Sequence, residues 1–462
     1  MPCHDYRPAL WGQQTVFEEG AAGTLRQFFD YAEDIDLIFL GSSHVFDAMF
    51  PMELYENYGI CSYNLAMSAG TIPLSYHVVR NVLGYQQPKA IVLDCYRLDF
   101  PDLLDSYVSA AGFFDLLPFS RQKLSSAKDL KPALSDEEYK ALIFPFFNYH
   151  NRWSELESSD FSLEPSLLKG AKYYTNSYAG ELSPSVSDAA LDMPEDAPGP
   201  VYIEKLAQLC REQGIELILC HVPYTDEGRE AMEAVSTARL AEQLGLRYIN
   251  FMELDCIDYS TDFFDAGAHL NVSGGKKLSE ALGRFFKEEL GLADHRGKPG
   301  YEDWDSDLAQ YLELKPQLLA ESNFLGDYLV QLQDKDISSF IMLDEGSCVY
   351  DDGHFKALIK NAAGQELPLL EQSWADKTSY ALLIDRATGS VQEYAGKDIP
   401  EDIGSSAGLI QPLPLPQIQD KDGAFPEGCQ KQLMSIFWSK HDSASPIWRS
   451  FAMIDGQFVR EL

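Results

Sequence analysis

The sequence predicts an α/β protein in which a parallel β-sheet is sandwiched between helices, followed by a smaller C-terminal α+β or β-rich domain. From about residue 34 to 292, short apolar runs alternate with longer amphipathic ones, which indicates the strand, helix, strand order of a parallel sheet. The apolar runs are continuous, as is typical of strands covered on both faces. After the polar, Gly- and Pro-containing stretch "LGLADHRGKPGYEDWDSD" this pattern is lost, so we expect a second domain there.

The elements of the α/β domain follow from these runs. Five apolar runs predict strands: "IDLIFL" (35–40), "SYNLAM" (62–67), "AIVLDCY" (90–96), "IELILCHV" (215–222) and "LRYINF" (246–251). Three amphipathic runs predict helices: "PLSYHVVRNVLGYQ", "PVYIEKLAQLCREQG" and "GREAMEAVSTARLAEQLG". The last two end in glycine, which is common at helix C-termini.

Changes in composition predict the domain boundaries. We assign residues 1–33 to an N-terminal extension, 34–292 to the α/β domain and 305–462 to a C-terminal accessory domain. An aromatic, proline-bearing insertion at about 101–198 interrupts the α/β pattern, and we interpret it as a cap or substrate-side excursion. The C-terminal domain is expected to contain a helix near 305–320 and the strand-like segments "ISSFIMLD", "SYALLID", "SVQEYA", "MSIFWSK" and "SFAMIDGQFVREL", the last two as a hairpin.

Composition and charge exclude some classes of function. The 462 residues are 45% hydrophobic and 12% aromatic, which is enough to build real cores. Because 72 acidic residues oppose 36 basic ones, the net charge is -36, and we expect no nucleic acid partner. No apolar stretch reaches the ~18 residues of a membrane span, and the N-terminus lacks the pattern of a signal peptide. Taken literally, the sequence predicts a cytoplasmic protein.

The cysteines do not indicate a metal site. The eight cysteines include no CxxC pair, and only two of them adjoin a histidine, in Cys3-His4 and Cys220-His221. Several, such as Cys95 and Cys220, fall in predicted strands, where a reduced cysteine acts as a small hydrophobe. We expect neither a metal nor another cofactor, while the sequence leaves disulfides open.

The first predicted strand ends in the polar sequence Gly41-Ser42-Ser43-His44. In open parallel sheets, ligands bind outside the carboxyl ends of the strands, and glycine permits a sharp turn at that place. Three interpretations compete: Ser43 is a nucleophile, the turn binds an anion, or a serine caps the next helix. His44 is expected either to contact substrate or to cap that helix.

A serine hydroxyl needs a base to react near neutral pH, and His269 is placed to provide it. It lies in "DFFDAGAHLNVSGG", after the last predicted strand and before an amphipathic helix, hence on the same rim as Ser43. Asp265, four residues earlier, and Asp262, seven earlier, can each orient the imidazole and stabilise its protonated form. The alternative is a capping aspartate beside a surface histidine.

Together these motifs resemble the SGNH/GDSL hydrolase family. The resemblance covers about residues 34–292 and depends on a strand ending in Gly-x-Ser, a glycine after the second strand in "NLAMSAGT", and a terminal Asp and His before the last helix. It implies a flavodoxin-like parallel sheet sandwich of the SGNH hydrolase type, with Ser43 as nucleophile, His269 as general base and Asp265 orienting it. It also implies that the backbone N–H groups of Ser43 and Gly70 form an oxyanion hole.

The sequence departs from the family pattern in two places. The family's third block, a strand ending in Gly-x-Asn-Asp, is replaced by "IVLDCYRLD", so the oxyanion-hole asparagine is missing and Asp94, Cys95 or Tyr96 takes its region. A carboxylate there would repel a developing oxyanion. The spacing from Asp265 to His269 is four residues, where the family usually shows three.

Within the family, "GSSH", "YNLAMSAG" and "DAGAHLNVSG" are similar to a bacterial branch related to cell-surface polysaccharide O-acetylation and teichoic acid D-alanylation proteins. The resemblance implies a serine-dependent esterase or O-acyltransferase that acts on an acylated carbohydrate or cell-envelope polymer, with a membrane-bound acyl donor as partner. Members of that branch commonly act outside the membrane, tethered by an N-terminal helix. The resemblance therefore implies an extracytoplasmic location if the N-terminus is incomplete.

The insertion supplies a second group of candidate binding residues. The segment "NYHNRW" gathers His150, Arg152 and Trp153. An indole with a guanidinium can stack on a sugar ring and bind its hydroxyls or an acidic group. The alternative is ordinary packing between the insertion and the sheet.

Other motifs are interpreted as structural. "GSSAG" (404–408) matches the G-x-S-x-G nucleophile motif, but without a strand before it or a helix after it we interpret it as a loop. Asn64 is expected to be a structural hydrogen-bonding residue. His221 is also expected to be structural, although it ends a strand on the functional rim.

Two further functions are compatible with the sequence. A catalytically inactive SGNH-fold module would hold cell-surface polysaccharide in the same crevice, and the missing asparagine favours it. Alternatively, the turn from Gly41 to His44 binds phosphate in a flavodoxin-like domain.

Overall fold

The computed structural model describes residues 16–17, 27–29, 35–149, 166–184, 186–194, 196–225, 228–412, 430–454 and 457–460. The chain divides into two compact units. The α/β unit comprises Phe17–Tyr173 and Gly180–Leu312, and the C-terminal unit comprises Glu313–Leu462 together with Met1–Val16 and Tyr174–Ala179.

The α/β unit is built on a five-stranded sheet whose strands are all parallel. The strands are β1 (Leu37–Leu40), β2 (Ser62–Asn64), β3 (Ala90–Asp94), β4 (Glu216–His221) and β5 (Arg247–Asn250). Their spatial order is β2-β1-β3-β4-β5, a doubly wound order whose switch point lies between β1 and β3. The predicted α/β class with a parallel sheet is confirmed.

Both faces of this sheet are buried. Along β1, Ile38 and Leu40 belong to one hydrophobic core, while Leu37 and Phe39 belong to a second core on the other side. Successive side chains of a strand point to opposite faces, so a continuous apolar run supplies both cores at once. This is why the strands were recognisable as unbroken apolar runs.

Helices cover the sheet and extend from it. The helices of the α/β domain are α1 (Ser43–Phe46), α2 (Pro51–Tyr58), α3 (Ile72–Val82), α4 (Tyr107–Phe114), α5 (Arg121–Leu130), α6 (Asp136–Ile143), α7 (Phe146–Tyr149), α8 (Pro198–Gln213), α9 (Arg229–Leu244) and α10 (Val272–Glu289). As predicted, α8 and α9 end at glycines, Gly214 and Gly245, with φ of 69° and 64°. A left-handed residue at that position satisfies the last helical carbonyls.

The insertion is helical over its described first half, from α4 to α7, although its sequence predicts no particular helix there. A serine caps each of α4, α5 and α6, namely Ser106, Ser120 and Ser135, and each serine side chain accepts a backbone N–H of the first turn. Ser135 and Glu138 form a reciprocal capping box at α6. These serines were the available sequence signal for the three short helices.

The C-terminal unit contains a six-stranded antiparallel sheet in the order β8-β7-β6-β11-β12-β13 and a separate two-stranded hairpin, β9-β10. The strands are β6 (Ile337–Leu343), β7 (Tyr380–Asp385), β8 (Ser390–Ala395), β9 (Ile403–Ser405), β10 (Gly408–Ile410), β11 (Gln430–Ser439), β12 (Asp442–Ile454) and β13 (Gln457–Arg460). Its helices are α12 (Leu325–Gln331), α13 (Gly353–Ala363) and α14 (Pro368–Asp376). A further helix, α11 (Glu302–Glu321), contains the point at which the two units divide.

Candidate active site

Ser43 follows β1 at the switch point of the sheet. Gly41 makes the turn out of the strand with φ of 149°, and a Cβ at this position would lie 2.6 Å from Val45 Cγ2. Ser42 is the N-cap of α1, because its Oγ accepts the N–H of His44. The result is a sharp strand-to-helix turn that leaves Ser43 partly exposed at the carboxyl end of the sheet.

Ser43, His269 and Asp265 form a hydrogen-bonded series. Ser43 Oγ lies 2.8 Å from His269 Nε2, although the two residues are 226 positions apart in the chain. On the other side of the ring, His269 Nδ1 lies 2.6 Å from Asp265 Oδ2. When Nδ1–H donates to Asp265, Nε2 is left to accept the Ser43 hydroxyl, which is the tautomer a general base requires.

A tight loop accommodates the four-residue spacing from Asp265 to His269. Asp265 Oδ1 accepts the backbone N–H groups of Ala268 at 2.8 Å and His269 at 3.0 Å, which leaves Oδ2 for the imidazole. Gly267 has φ of 101°, and a Cβ there would lie 1.9 Å from Thr225 Oγ1. The departure in spacing therefore does not separate the acid from the base.

The protonation state of Asp265 suits the role of orienting group. Burial by itself raises the pKa of this carboxyl, but the hydrogen bonds from the His269 ring and from two backbone N–H groups outweigh burial and lower the pKa below its usual value. Asp262, the other candidate, bonds Lys277 Nζ at 2.8 Å instead. Asp265 is thus the carboxylate that the structure places on His269.

The loop that carries Asp265 and His269 is anchored at both ends. Phe263 and Leu270 form an isolated antiparallel bridge, and the N–H of Asn271 donates to the carbonyl of Asp262 at 2.8 Å. The Asn271 side chain also caps α10 by accepting backbone N–H groups of its first turn. These bonds hold the imidazole on a loop that is fixed to rigid elements.

The expected oxyanion hole is only partly available. The N–H of Ser43, at the first position of α1, has no hydrogen-bond acceptor among the described residues. The N–H of Gly70, in contrast, donates to the carbonyl of Met67 at 2.9 Å. Glycine has a different use there, since a Cβ on Gly70 would lie 2.3 Å from the carbonyl oxygen of Gly41. The geometry thus indicates that Gly70 packs closely on the turn that presents Ser43, and not that its N–H donates to an oxyanion.

Asp94 ends β3, in the region of the missing asparagine. Its Oδ1 accepts the N–H of Val222 at 3.1 Å, while Oδ2 is buried and has no hydrogen-bond partner in the described part of the chain. Burial raises the pKa of Asp94 to about 7, so a large share of this carboxyl is protonated at neutral pH. The repulsion expected from a carboxylate at this place is correspondingly weakened.

His44 is buried in an aromatic setting beside the nucleophile. Ser42, and not His44, caps α1, and the N-cap of α2 forms no side-chain hydrogen bond. The structure therefore does not support the helix-cap alternative. Burial and the nearby His269 lower the pKa of His44 to about 3, so its ring is neutral at physiological pH. A contact between His44 and substrate stays a prediction.

Of the remaining candidate residues, Asn64 and His221 have structural partners and three others lie outside the described residues. Asn64 Nδ2 donates to the carbonyls of Val45 at 3.0 Å and Met49 at 3.1 Å, tying β2 to the segment after the nucleophile. His221 is buried, and its Nδ1 lies 3.3 Å from the Tyr248 hydroxyl. The predicted ligand contacts His150, Arg152 and Trp153 lie outside the described residues.

The "GSSAG" segment is not the loop that the sequence suggested. Its residues form the β9-β10 hairpin. Ser405 Oγ donates to the carbonyl of Gly408 at 2.9 Å, and Ser406 Oγ donates to Asp385 Oδ1 at 2.8 Å and accepts Trp438 Nε1 at 2.9 Å. Both hydroxyls have structural partners, and neither contacts a histidine within the described ranges.

Three other kinds of site find little support in the described part of the chain. No group of three or more His, Cys, Asp or Glu residues there is arranged to hold a metal ion. No helix in the same ranges is both long and apolar enough to cross a membrane. The phosphate-binding interpretation of the turn is not favoured, since α1 has only four residues and the Ser43 hydroxyl is bonded to His269.

Comparison with known proteins adds no assignment. No family model matches the sequence, and the search of curated proteins finds no match.

Proposed function

We propose that this protein is a serine-dependent esterase or O-acyltransferase of the SGNH type. One observation carries the proposal: Ser43 Oγ, His269 and Asp265 are joined by contacts of 2.8 and 2.6 Å at the carboxyl edge of a parallel sheet. A nucleophile bonded to a base, with the base bonded to an acid, is the arrangement that activates a serine hydroxyl.

In the proposed acylation step, Ser43 Oγ attacks the carbonyl carbon of an ester. The hydroxyl proton passes to His269 Nε2, and the new C–O bond turns the carbonyl oxygen into an oxyanion. Asp265 stays ionised and stabilises the imidazolium through its bond to Nδ1. The tetrahedral intermediate then expels the alcohol, which takes the proton back from Nε2, and an acyl-Ser43 ester is left.

In the proposed deacylation step, water or a sugar hydroxyl attacks the acyl-enzyme. His269 accepts the proton of the incoming hydroxyl and returns it to Ser43 Oγ when the ester breaks. The N–H of Ser43, which has no acceptor among the described residues, would hold the oxyanion in both steps. With water the reaction is ester hydrolysis, and with a sugar hydroxyl it is acyl transfer.

The proposed substrate class follows from the family resemblance and from the net charge of the chain. An acylated carbohydrate or cell-envelope polymer, a membrane-bound acyl donor and an extracytoplasmic setting are all implied by the resemblance of "GSSH", "YNLAMSAG" and "DAGAHLNVSG" to one bacterial branch. The net charge of -36 disfavours strongly anionic polymers as substrates. Neutral O-acetylated polysaccharide fits both considerations.

Hydrolysis of p-nitrophenyl acetate tests the proposed chemistry. The wild type should release p-nitrophenol, and Ser43→Ala and His269→Ala should each reduce the rate about a thousandfold or more. Ser405→Ala and His441→Ala are matched controls, because the first lies in the "GSSAG" hairpin and the second is exposed in the C-terminal unit. Equal rates in Ser43→Ala and Ser405→Ala would refute the proposal.

A catalytically inactive polysaccharide-binding module is the second candidate. It is favoured by the N–H of Gly70, which is already bonded to Met67, and by the absence of an asparagine at the end of β3, since few donors remain for an oxyanion. In that case, O-acetylated xylan would bind without losing acetate, and Ser43→Ala would bind it as well as the wild type. Isothermal calorimetry and acetate release, measured on the same samples, separate the two functions.

A further inference from the structure

We infer that Phe264 and His44 are positioning residues that hold the His269 ring against Ser43, and that the stacked Phe264 also stabilises the imidazolium formed there. Together we call these two residues the aromatic support. The inference rests on the proposed function, in which the proton of Ser43 moves to His269. Each member of the aromatic support directly precedes or follows a residue of the hydrogen-bonded series, since Phe264 precedes Asp265 and His44 follows Ser43.

Phe264 stacks on the imidazole. The two ring centroids are 5.3 Å apart and the planes are inclined by only 18°. The backbone fixes this arrangement, because the N–H of Phe264 donates to the carbonyl of His269 at 3.1 Å, next to the bridge between Phe263 and Leu270. A phenyl face therefore covers the imidazole, and loop motion alone cannot readily remove it.

His44 contacts the same imidazole from α1. Its ring centroid lies 4.9 Å from that of His269, with the planes inclined by 69° in an edge-to-face arrangement. His44 is itself held by two tyrosines, because its ring lies 4.1 Å from Tyr96 and 4.9 Å from Tyr224. It is only 3% exposed. The helix that presents the nucleophile thus also limits the orientations of the base.

The aromatic support also affects the stability of the positively charged His269 ring. An aromatic face attracts a cation through its quadrupole and has much less effect on a neutral ring. Stacking on Phe264 therefore stabilises the imidazolium that forms when Ser43 gives up its proton. His44 adds no opposing charge, because burial and repulsion by His269 lower the pKa of His44 to about 3 and keep its ring neutral.

The other titratable groups around the two histidines are mostly neutral, which leaves Asp265 as the charged partner. Those that face or influence them are Asp265, Ser43, Tyr96, Tyr224, Asp47 and His221. Burial, assisted by the charge of Asp265, raises the pKa of Asp47, and burial also raises the pKa of Tyr224. Burial lowers the pKa of His221 to about 3. Loss of the Phe264 ring should thus show in the pH dependence of the reaction.

Four single variants test the inference on the full chain. Phe264→Leu and His44→Leu remove a ring, whereas Phe264→Tyr and His44→Phe keep one. Against p-nitrophenyl acetate, each leucine variant should lose about three- to tenfold in kcat/KM, and in Phe264→Leu the acid limb of the pH–rate profile should also move to lower pH by about half a unit. The aromatic variants should stay within about twofold of the wild type with the limb in place.

The outcomes separate this inference from the proposed function. If Phe264→Leu keeps the wild-type acid limb, or if His44→Phe loses as much activity as His44→Leu, the aromatic support is refuted while the proposed function stands.

An inactive wild type refutes the proposed function, and the aromatic support is then tested by NMR titration of the ¹³C-labelled His269 ring. A shift to lower pH in Phe264→Leu upholds the aromatic support, and an unchanged titration refutes it. Should His44→Leu not fold, the half-buried Phe264 carries the test alone.

Discussion

Two stretches of this chain share the sequence Gly-Ser-Ser, but the hydrogen-bond partners of their serine hydroxyls differ. Gly41-Ser42-Ser43 follows a parallel strand and leads into a helix, and the Ser43 hydroxyl bonds an imidazole. Gly404-Ser405-Ser406 turns an antiparallel hairpin, and its hydroxyls bond a backbone carbonyl, a carboxylate and an indole. The comparison shows that the residues brought to a serine by the fold, more than its sequence neighbours, decide whether it can react.

The largest expected contrast is between the two serines themselves. Ser43→Ala should reduce esterase activity about a thousandfold or more and leave the melting temperature nearly unchanged. Ser406→Ala should leave activity unchanged but lower the free energy of unfolding by about 1–3 kcal/mol, because Asp385 and Trp438 lose a partly buried hydrogen-bond partner. Rate assays and thermal unfolding of both variants check this. A loss of activity in Ser406→Ala would break the comparison.

The second contrast concerns the two carboxylates in the loop of the base. Asp265→Asn should reduce kcat on the order of a thousandfold, because the amide cannot hold the imidazole in the required tautomer or balance its charge. Asp262→Asn should chiefly cost stability, since Asp262 bonds Lys277 and not His269. Comparable losses of kcat in the two variants would contradict the assignment of Asp265.

The third contrast is between the two glycines that open the stretches. A Cβ on Gly41 would lie 2.6 Å from Val45 Cγ2 and 3.0 Å from Asp94 Cβ, and φ there is 149°. We expect Gly41→Ala to lower the free energy of unfolding by about 3 kcal/mol. Gly404→Ala should be tolerated, because a Cβ there would have no atom of the described residues within 4 Å. Denaturant unfolding of both variants measures the difference, and equal losses would refute this account of the turn.

The smallest contrast is in pH dependence, between Asp94 beside Gly41 and Asp385 beside Ser406. Burial raises the pKa of Asp94 from 3.8 to about 7 in the folded state. Between these values the unfolded chain has lost the proton that the folded one keeps, so the stability from this group is full below pH 3.8 and is lost as pH rises through about 7. Asp94→Asn should therefore gain on the order of 2 kcal/mol relative to the wild type at pH 8, and the gain should fade toward pH 4.

Asp385 should show the opposite sign. Burial favours a higher pKa for Asp385, but hydrogen bonds from the N–H and hydroxyl of Ser406 and from nearby backbone groups outweigh it and lower the pKa. Its contribution to stability is present above the unfolded value of 3.8 and is lost as pH falls. Asp385→Asn should thus be destabilising at pH 7 and progressively less so in acid. Parallel slopes of stability against pH for the two asparagine variants would contradict these environments.

The sequence was sufficient for the sheet and for the rim where Ser43 and His269 meet. All five strands were apolar runs long enough to recognise, and parallel strands place their carboxyl ends on one edge. The contact of 2.8 Å across 226 positions is therefore a consequence of topology that a sequence pattern can anticipate. The Asp265 contact was harder, because it depends on how Gly267 turns the intervening loop.

What the sequence could not provide were quantities that depend on burial and on close approach. The N–H of Gly70 bonds Met67 because of local loop geometry, which no spacing rule indicates. The raised pKa of Asp94 comes from the layers that cover the end of β3. The stacking of Phe264 on His269 needs the bridge that folds the loop back on itself, and the "GSSAG" hairpin has strands too short to predict.

The most direct test of the central claim is to locate the site of a fluorophosphonate adduct. The wild type, incubated near pH 7.5, should carry one adduct on the peptide containing Ser43, and the adduct should be lost in Ser43→Ala and strongly reduced in His269→Ala. The Ser405 and Ser406 peptide should remain unmodified. An adduct on that peptide, or wild-type labelling at Ser43 that His269→Ala leaves unchanged, would show that the imidazole does not activate this serine.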